Sequence, residues 1–290
     1  MFVMALDVGT SSARALCVQA DGRPLPGSEG RVACEPRITG DGGVEMDPEV
    51  LLAAVVEVVS ACLAGCGARA GEIRGVGASM FWHGLMALDA TGRPLTPVFT
   101  WADMRSARAA ADLRQMLDAE QVRARTGAPL HAIFFPAKLR WLGQTRPDIM
   151  SRTTTWCGFA EYLSWRLTGL RRSSLSMASG TGLLDQEARA WDLALLAASG
   201  IGPAQLPPID DSPAPGLVGE WAQRWPALAQ VPWFPAWGDG ACSNVGSDCA
   251  GPGRVALNVG TSCALRVVLP SVPRVPEGLW RYRVDAARNL

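Results

Sequence analysis

Short apolar runs broken by turn residues dominate the first hundred positions. Residues 2–6 are apolar, a polar bend follows at 9–12, and residues 13–20 resume before Asp21-Gly22, a strand–turn–strand pattern closing on a hairpin signal. Beyond the glycine-rich 40–43 loop, Asp47-Pro48 presents an N-cap with proline at the first helical position, and the apolar run after it predicts a helix to about residue 64. Residues 74–79 and 85–88 read as buried strands, the second closed by a turn at 89–93. Residues 104–120 alternate charged and apolar faces at helical period and predict one amphipathic helix, with further helices over 136–142 and 158–167. A proline-rich connector spans 206–215. Strands are predicted at 233–237 and 254–258, with a helix opening over 240–249. Strand–turn–strand followed by alternating helices and strands is an α/β pattern with a mixed sheet.

One internal repeat stands out. Residues 6–16 read LDVGTSSARAL and residues 257–267 read LNVGTSCALRV. Each places a short apolar strand before Asp or Asn, then Val-Gly-Thr-Ser, then another strand, which implies two homologous lobes with the same opening element. Only 33 residues follow Leu257, too few for a second lobe the size of the first, so the chain is expected to stop within that lobe.

Charge adds mainly exclusions. With 27 basic and 27 acidic residues in 290, bulk charge draws the chain neither to nucleic acid nor to an anionic membrane. A 48% hydrophobic content is enough for a substantial core, and Gly 31 plus Pro 21 stays below low-complexity composition. Lys138 is the only lysine, in an ordinary helical context, and there is no G-x-x-x-x-G-K-[ST] loop. Phosphate would have to be met by backbone amides, hydroxyls and a metal. The eight cysteines are scattered without a C-x-x-C pair, and His83 and His131 are the only imidazoles, so clustered zinc ligands are not expected. No basic n-region precedes the first apolar run, and the 51–63 stretch is short and interrupted by Glu57. Reduced thiols in the cytoplasm are the reading that follows, with no membrane partner.

Four motifs carry candidate chemistry. In Asp7-Val-Gly-Thr-Ser-Ser12, Gly9 permits a tight bend, Thr10, Ser11 and Ser12 set hydroxyls beside amides that can converge on an anion, and Asp7 is placed to hold hydrated Mg²⁺. A polar β-turn is the alternative, and the second copy, Gly260-Thr261-Ser262, favours a paired grip on a triphosphate. In Trp237-Gly238-Asp239-Gly240 a carboxylate opens a helix after an apolar strand, where it can accept a proton from an attacking hydroxyl or simply cap the helix. Trp82-His83 ends a buried strand and offers a polyol both hydrogen bonds and an apolar face, or is structural. Asp103 and Arg105 are either sugar contacts or an intra-loop ion pair.

In order along the chain, DVGTSS (7–12), GGVEMDP (42–48), IRGVGAS (73–79), HGLMALDATGRPL (83–95), WADMR (101–105), KLRWL (138–142), EYLSWRLTG (161–169), ASGTGLLD (178–185), WGDGACSNVGS (237–247) and NVGTS (258–262) resemble the FGGY carbohydrate kinases, of xylulokinase and gluconokinase type, a branch of the actin-like ATPases. The resemblance implies a ribonuclease-H-like lobe with a mixed sheet and flanking helices over 1–245, and the opening of a second homologous lobe over 246–290. It implies ATP-dependent phosphorylation of a sugar, sugar acid or polyol with Mg²⁺. It puts the general base at Asp239, the metal-linked aspartate at Asp7, phosphate hairpins at Gly9–Ser12 and Gly260–Ser262, and substrate contacts at Trp82 and His83, with Asp103, Arg105 and Gly240 as further substrate-side candidates. In-line transfer from ATP is the implied mechanism.

Three departures accompany the resemblance. Phe81-Trp82 stands where xylulose-type members often carry Gln-Met, and Gly240 where they commonly carry Asn. The segment 279–290, LWRYRVDAARNL, resembles gluconate-type members. The family's adenosine-binding segments lie downstream of Leu290. A non-catalytic sugar-binding or regulatory protein is therefore the alternative reading, and an actin-like ATPase without a sugar substrate fits residues 73–105 and 161–185 less well. Strands at 254–268 without a full sheet are expected to expose edges and apolar faces, leading to aggregation, a homodimer through that edge, or a loosened tail.

Overall fold

In a computed structural model, which describes residues 1–259, 263–272 and 274–290, the apolar runs assemble into a five-stranded mixed sheet. Strand β1 (Phe2–Val8) pairs antiparallel with β2 (Ser12–Gln19), which pairs antiparallel with β3 (Gly30–Ala33). On its other edge β1 lies parallel to β4 (Ile73–Met80), and β4 lies parallel to β5 (Trp237–Gly238), giving the spatial order β5-β4-β1-β2-β3. Alternate residues of β1 (Phe2, Met4, Leu6 and Val8) are buried, the period-2 signature of a strand with one face in the core.

Helix α1 (Pro48–Cys66) starts where the sequence indicates, with the Asp47 carboxylate accepting from Glu49 N and Val50 N. It lies across β2 and β3 and buries Leu51, Leu52, Val55, Val58 and Val59 there, each aliphatic side chain contributing about 1.5–3 kcal/mol of transfer free energy. With the 3₁₀ turn Gly67–Glu72 that continues it, this helix is long and apolar enough, by length and composition alone, to cross a bilayer, contrary to the expectation from residues 51–63. Its apolar side here faces the sheet.

The predicted helix over 104–120 is two helices. α2 (Ala107–Met116) ends at an extended Leu117, and Asp118 then caps α3 (Ala119–Thr126) by accepting from Glu120 N and Gln121 N. A good N-cap inside the run outcompetes continued periodicity. α4 (Phe135–Thr145) packs on α2, and with Leu85, Phe99, Trp156, Leu195 and Leu196 these form a second core. α5 (Phe159–Thr168) and the short α6 (Leu175–Gly180) follow. The predicted strand at 233–237 contracts to β5, because Pro232 and Pro235 deny it ladder donors. Upstream, Val76 N donates to Pro232 O and Phe234 N to Val76 O, while Trp233 exchanges backbone hydrogen bonds with Ala214. α7 (Asp239–Gly246) leads to a separate hairpin, β6 (Val255–Val259) against β7 (Cys263–Val267).

That hairpin exposes Val255, Leu257, Val259 and Leu265, the apolar face expected of strands outside a full sheet. Residues 281–290, in contrast, are packed. Arg281 N donates to Gly127 O, Arg283 N to Ser179 Oγ, and Tyr282 and Leu290 exchange backbone hydrogen bonds. This inserts the Tyr282 ring beneath the sheet's C-terminal edge.

Candidate active site

Three parallel strands, β1, β4 and β5, end at one edge of the sheet, with Asp7 and Trp237 both in register with Ser79. Asp239 follows immediately as the first residue of α7. Gly238 occupies the cap position, so the carboxylate does not cap the helix; it accepts from the adjacent Gly240 N at 2.8 Å. The carboxyl is accessible to solvent yet lies in a concavity crowded by protein, and this desolvation pushes its proton affinity above the ordinary carboxylate range. The negative charge of Asp7 pushes the same way, while the Gly240 and Trp82 amides and the Arg266 guanidinium oppose it. One turn on, the Cys242 thiol is pushed up to about 11, first by burial, then by Asp239 and Asp7, against a hydrogen bond with Ser79. Asp7 makes no ion pair among the described residues. Asp7 and Asp239 lie at the ends of β1 and β5, on either side of β4 and close enough for the charge of Asp7 to act on Asp239, and hard carboxylate oxygens of this kind suit a magnesium ion.

The floor beside Asp239 is aromatic. Trp82 is 4% exposed, donates Nε1–H to Ser176 O at 3.1 Å, and stacks on Tyr282 with centroids 4.6 Å apart. Its ring fills the space over three glycines. A Cβ at Gly238, Gly180 or Gly240 would lie 1.8, 2.2 or 2.7 Å from it, and at Gly240 also 3.0 Å from Arg266 Nε. The Trp82 indole thus occupies volume that a side chain at 240 would need.

His83 sits at φ 67°, a left-handed conformation unusual for this residue type. Its Nδ1 lies 2.6 Å from Gly180 O, which assigns the proton to Nδ1 and leaves Nε2 as an acceptor. Phe134, Trp82 and Tyr282 ring the imidazole, and burial, followed by the Lys138 charge, pulls its pKa down to about 3.

Lys138 is not in an ordinary helical context. Its ammonium is buried and donates to His83 O at 2.6 Å, Phe99 O at 3.0 Å and Thr100 O at 2.8 Å, engaging all three N–H groups. Desolvation draws it down to about 7, with Asp103 opposing. It ties the strained His83 backbone to the start of the 101–105 loop. Within that loop Asp103 and Arg105 form the ion pair foreseen as one alternative. Arg105 Nη2 also meets Glu45 Oε1 at 2.9 Å, and the guanidinium lies over Phe99 and Trp141. Their polar groups are engaged with one another rather than with the aromatic floor.

At the β1–β2 bend, Gly9 N donates to Ser12 O at 2.9 Å. Gly9 is not in the left-handed region, and a Cβ there would find only ordinary contact, at 3.6 Å from Ser12 O, so the tight turn does not depend on glycine's dihedral freedom. Ser11 is exposed, Thr10 half-buried, and Ser12 buried with its Oγ accepting from Arg14 Nε at 3.2 Å. Of the hydroxyls, Thr10 and Ser11 are the ones open to a ligand. Gly260, Thr261 and Ser262 lie outside the described residues.

The fold therefore gathers Asp7, Trp82, His83, Asp239 and Gly240 at one strand edge, with the β1–β2 bend at the end of the same sheet. It adds Tyr282, Arg266, Cys242 and Lys138, which the sequence reading passed over. The signal for one of these was present: a single lysine in an arginine-rich chain.

Residues 2–246 match the FGGY family of carbohydrate kinases, N-terminal domain. Among curated proteins, a gluconokinase of Bacillus subtilis (strain 168) is 27% identical over 271 residues, covering 92% of this chain and 52% of the relative. A glycerol kinase of Trichlorobacter lovleyi is 34% identical over 286 residues, covering 95% and 56%. The chain spans about half the length of the curated relatives it matches. Among solved structures, a xyloylose kinase from Brucella ovis superposes with TM-score 0.91 at 30% identity, covering all of this chain and 60% of that one. A gluconate kinase from Lactobacillus acidophilus gives TM-score 0.89 at 26% identity over 99% of this chain and 58% of its own.

Proposed function

Because the chain belongs to the FGGY family of carbohydrate kinases, we propose that it binds a sugar, sugar acid or polyol at the Trp82–His83–Asp239 edge and carries the base side of a phosphoryl transfer from ATP to one substrate hydroxyl. The observation that carries this reading is Asp239 itself: a solvent-accessible carboxylate at the strand edge, raised in proton affinity by the protein crowded around it and by the charge of Asp7. A raised pKa suits a group that must accept a proton as the hydroxyl oxygen attacks.

His83, with Nε2 as acceptor, and the Trp82–Tyr282 face orient the carbohydrate through a hydrogen bond and an apolar wall. Asp239 takes the hydroxyl proton at a carboxylate oxygen. Arg266 limits how far its affinity rises. Asp7 would hold Mg²⁺, and Thr10 and Ser11 with the Gly9 bend would meet the nucleotide's phosphates. When bound, Mg-ATP supplies the phosphoryl group and neutralises charge developing on it. The nucleotide-side share of Gly260, Thr261 and Ser262, and a division into a lobe of residues 1–245 and an opening segment of a second lobe from 246, belong to the same proposal. Gluconate, glycerol and xylulose, from the names of similar kinases, are the candidate substrates to screen first.

The test is Asp239→Asn. Carbohydrate-dependent ADP formation is expected to disappear while carbohydrate binding stays within a few-fold. Turnover retained at wild-type level would remove Asp239 from the role of base.

A further inference from the structure

Three of the eight cysteines meet in the core, one of them distant in sequence from the other two. Cys17 lies on β2, while Cys62 and Cys66, one turn apart on α1, present their thiols from the helix face that packs on that strand. Cys17 Sγ is 3.7 Å from Cys62 Sγ and 3.3 Å from Cys66 Sγ, and all three sulfurs lie within 4.8 Å of one another. Cys17 and Cys62 are wholly buried, Cys66 is 5% exposed, and none is in a disulfide. Clustered ligands were not expected from a chain with no C-x-x-C pair and two imidazoles, but Cys62 and Cys66 form a C-x-x-x-C pair on one helix face. The register of that helix on a strand adds Cys17.

A buried cysteine is ordinarily a small apolar filler. Three thiols converging on one point make a ligand set. With metal–sulfur bonds of about 2.3 Å, an ion at the centre of a trigonal site sets its sulfurs about 4.0 Å apart. The 3.3 and 3.7 Å separations reach that geometry with shifts of a few tenths of an ångström per side chain. The cluster contains no imidazole, carboxylate or fourth cysteine. Thiolates suit copper(I), zinc and iron–sulfur clusters alike, but structural zinc takes four ligands, so three sulfurs without a fourth favour copper(I). Disulfide chemistry needs a thiolate, and the hydrogen bond with Cys62, followed by burial, holds the Cys17 thiol far up, while burial, followed by Cys17, raises Cys66 to about 11. A thiophilic cation overcomes that by displacing the protons to solvent.

We propose that Cys17, Cys62 and Cys66 form a three-sulfur site for a single copper(I) ion, fastening α1 to β2. Access is at the Cys66 end, where α1 gives way to the 3₁₀ turn Gly67–Glu72 and the sulfur is least covered. Arg69 on that turn acts on the Cys66 sulfur and opposes the negative charge of the loaded site.

The experiment is anaerobic titration of the chain with copper(I) against the chelator bathocuproine disulfonate, with zinc(II) in parallel, followed by copper X-ray absorption on the loaded protein. One tightly held copper with a sulfur-only shell is expected. Cys17→Ala and Cys62→Ala should each weaken retention at least 100-fold, while the exposed Cys263→Ser leaves it unchanged. Far-UV circular dichroism checks that the variants fold, and the absorption spectrum of the unsubstituted chain stands independently of them. No copper retained by the folded chain, a shell containing nitrogen or oxygen, retention unaffected by Cys17→Ala and Cys62→Ala, or tighter binding of zinc would each overturn the proposal.

Discussion

If Trp82 is wedged over three glycines, adding one methyl group at Gly238 should be costly, and the cost should vanish when the indole is removed. The Cβ of Gly238→Ala would lie 1.8 Å from Trp82 Cε2 and 2.1 Å from Nε1, against ordinary carbon contacts of about 3.5–4.0 Å. The ring cannot slide away freely. Its Nε1–H is bonded to Ser176 O and its face is stacked on Tyr282. Overpacking costs about 1–3 kcal/mol, and a displaced indole N–H adds about 1 kcal/mol for its lost hydrogen bond, so Gly238→Ala should destabilise by about 2–4 kcal/mol. Trp82→Ala alone should cost about 3–5 kcal/mol as a cavity. In the Trp82→Ala background the new methyl points into that cavity, so Gly238→Ala should change stability by less than about 0.5 kcal/mol, a coupling of at least about 1.5 kcal/mol. Urea unfolding of the four proteins, followed by far-UV circular dichroism and compared at a common m value, measures this directly. Costs that simply add would refute the wedge.

Three further outcomes are expected. His83, pulled down to about 3 from an ordinary 6.5, leaves the unfolded chain binding the extra proton between those values; its contribution is therefore complete above pH 6.5 and lost as pH falls toward 3. His83→Gln should flatten the acid limb of stability against pH by up to about 1.4 kcal/mol per pH unit, and parallel limbs would contradict the shift. Arg105→Met strands the buried Asp103 carboxylate and leaves Glu45 to Arg37 alone, and should cost about 3–5 kcal/mol with little dependence on salt; a loss below 1 kcal/mol in thermal unfolding would deny the network a structural role. Among the thiols, Cys263 should react first with a disulfide reagent and Cys242 slowly, and Asp239→Asn should speed Cys242 by removing a charge that raises it; an unchanged rate would separate the two groups.

The elements legible in the sequence were those set by local signals. The Asp47-Pro48 start of α1, the β1–β2 pair and the position of Asp239 after an apolar strand all follow from period, capping and turn chemistry. What was not legible depended on contacts between distant segments. Asp118 reads as a mid-helix charge until its carboxylate is seen to cap a new helix. Lys138 reads as a helical surface residue until three carbonyls from two other segments converge on it. Tyr282 belongs to the site only because residues 281–290 fold back onto α6 and the 127 turn, a pairing no local pattern encodes. The Asp103–Arg105 pair was legible as an alternative, and Glu45, 58 residues before Asp103, was the missing third member.

The burial of Lys138 turns the chain into its own probe of local opening. A protease that cuts only after lysine has a single site in 290 residues, inside α4 and beneath the carbonyls of His83, Phe99 and Thr100. Cleavage there requires that helix to open, so when reclosing outpaces cutting the nick rate reports the opening free energy of the scaffold behind His83, without any label. A carbohydrate that tightens the His83 face should slow that one cut by the same factor by which it stabilises the closed form. Ligand binding can thus be read on a gel as the survival of one intact band.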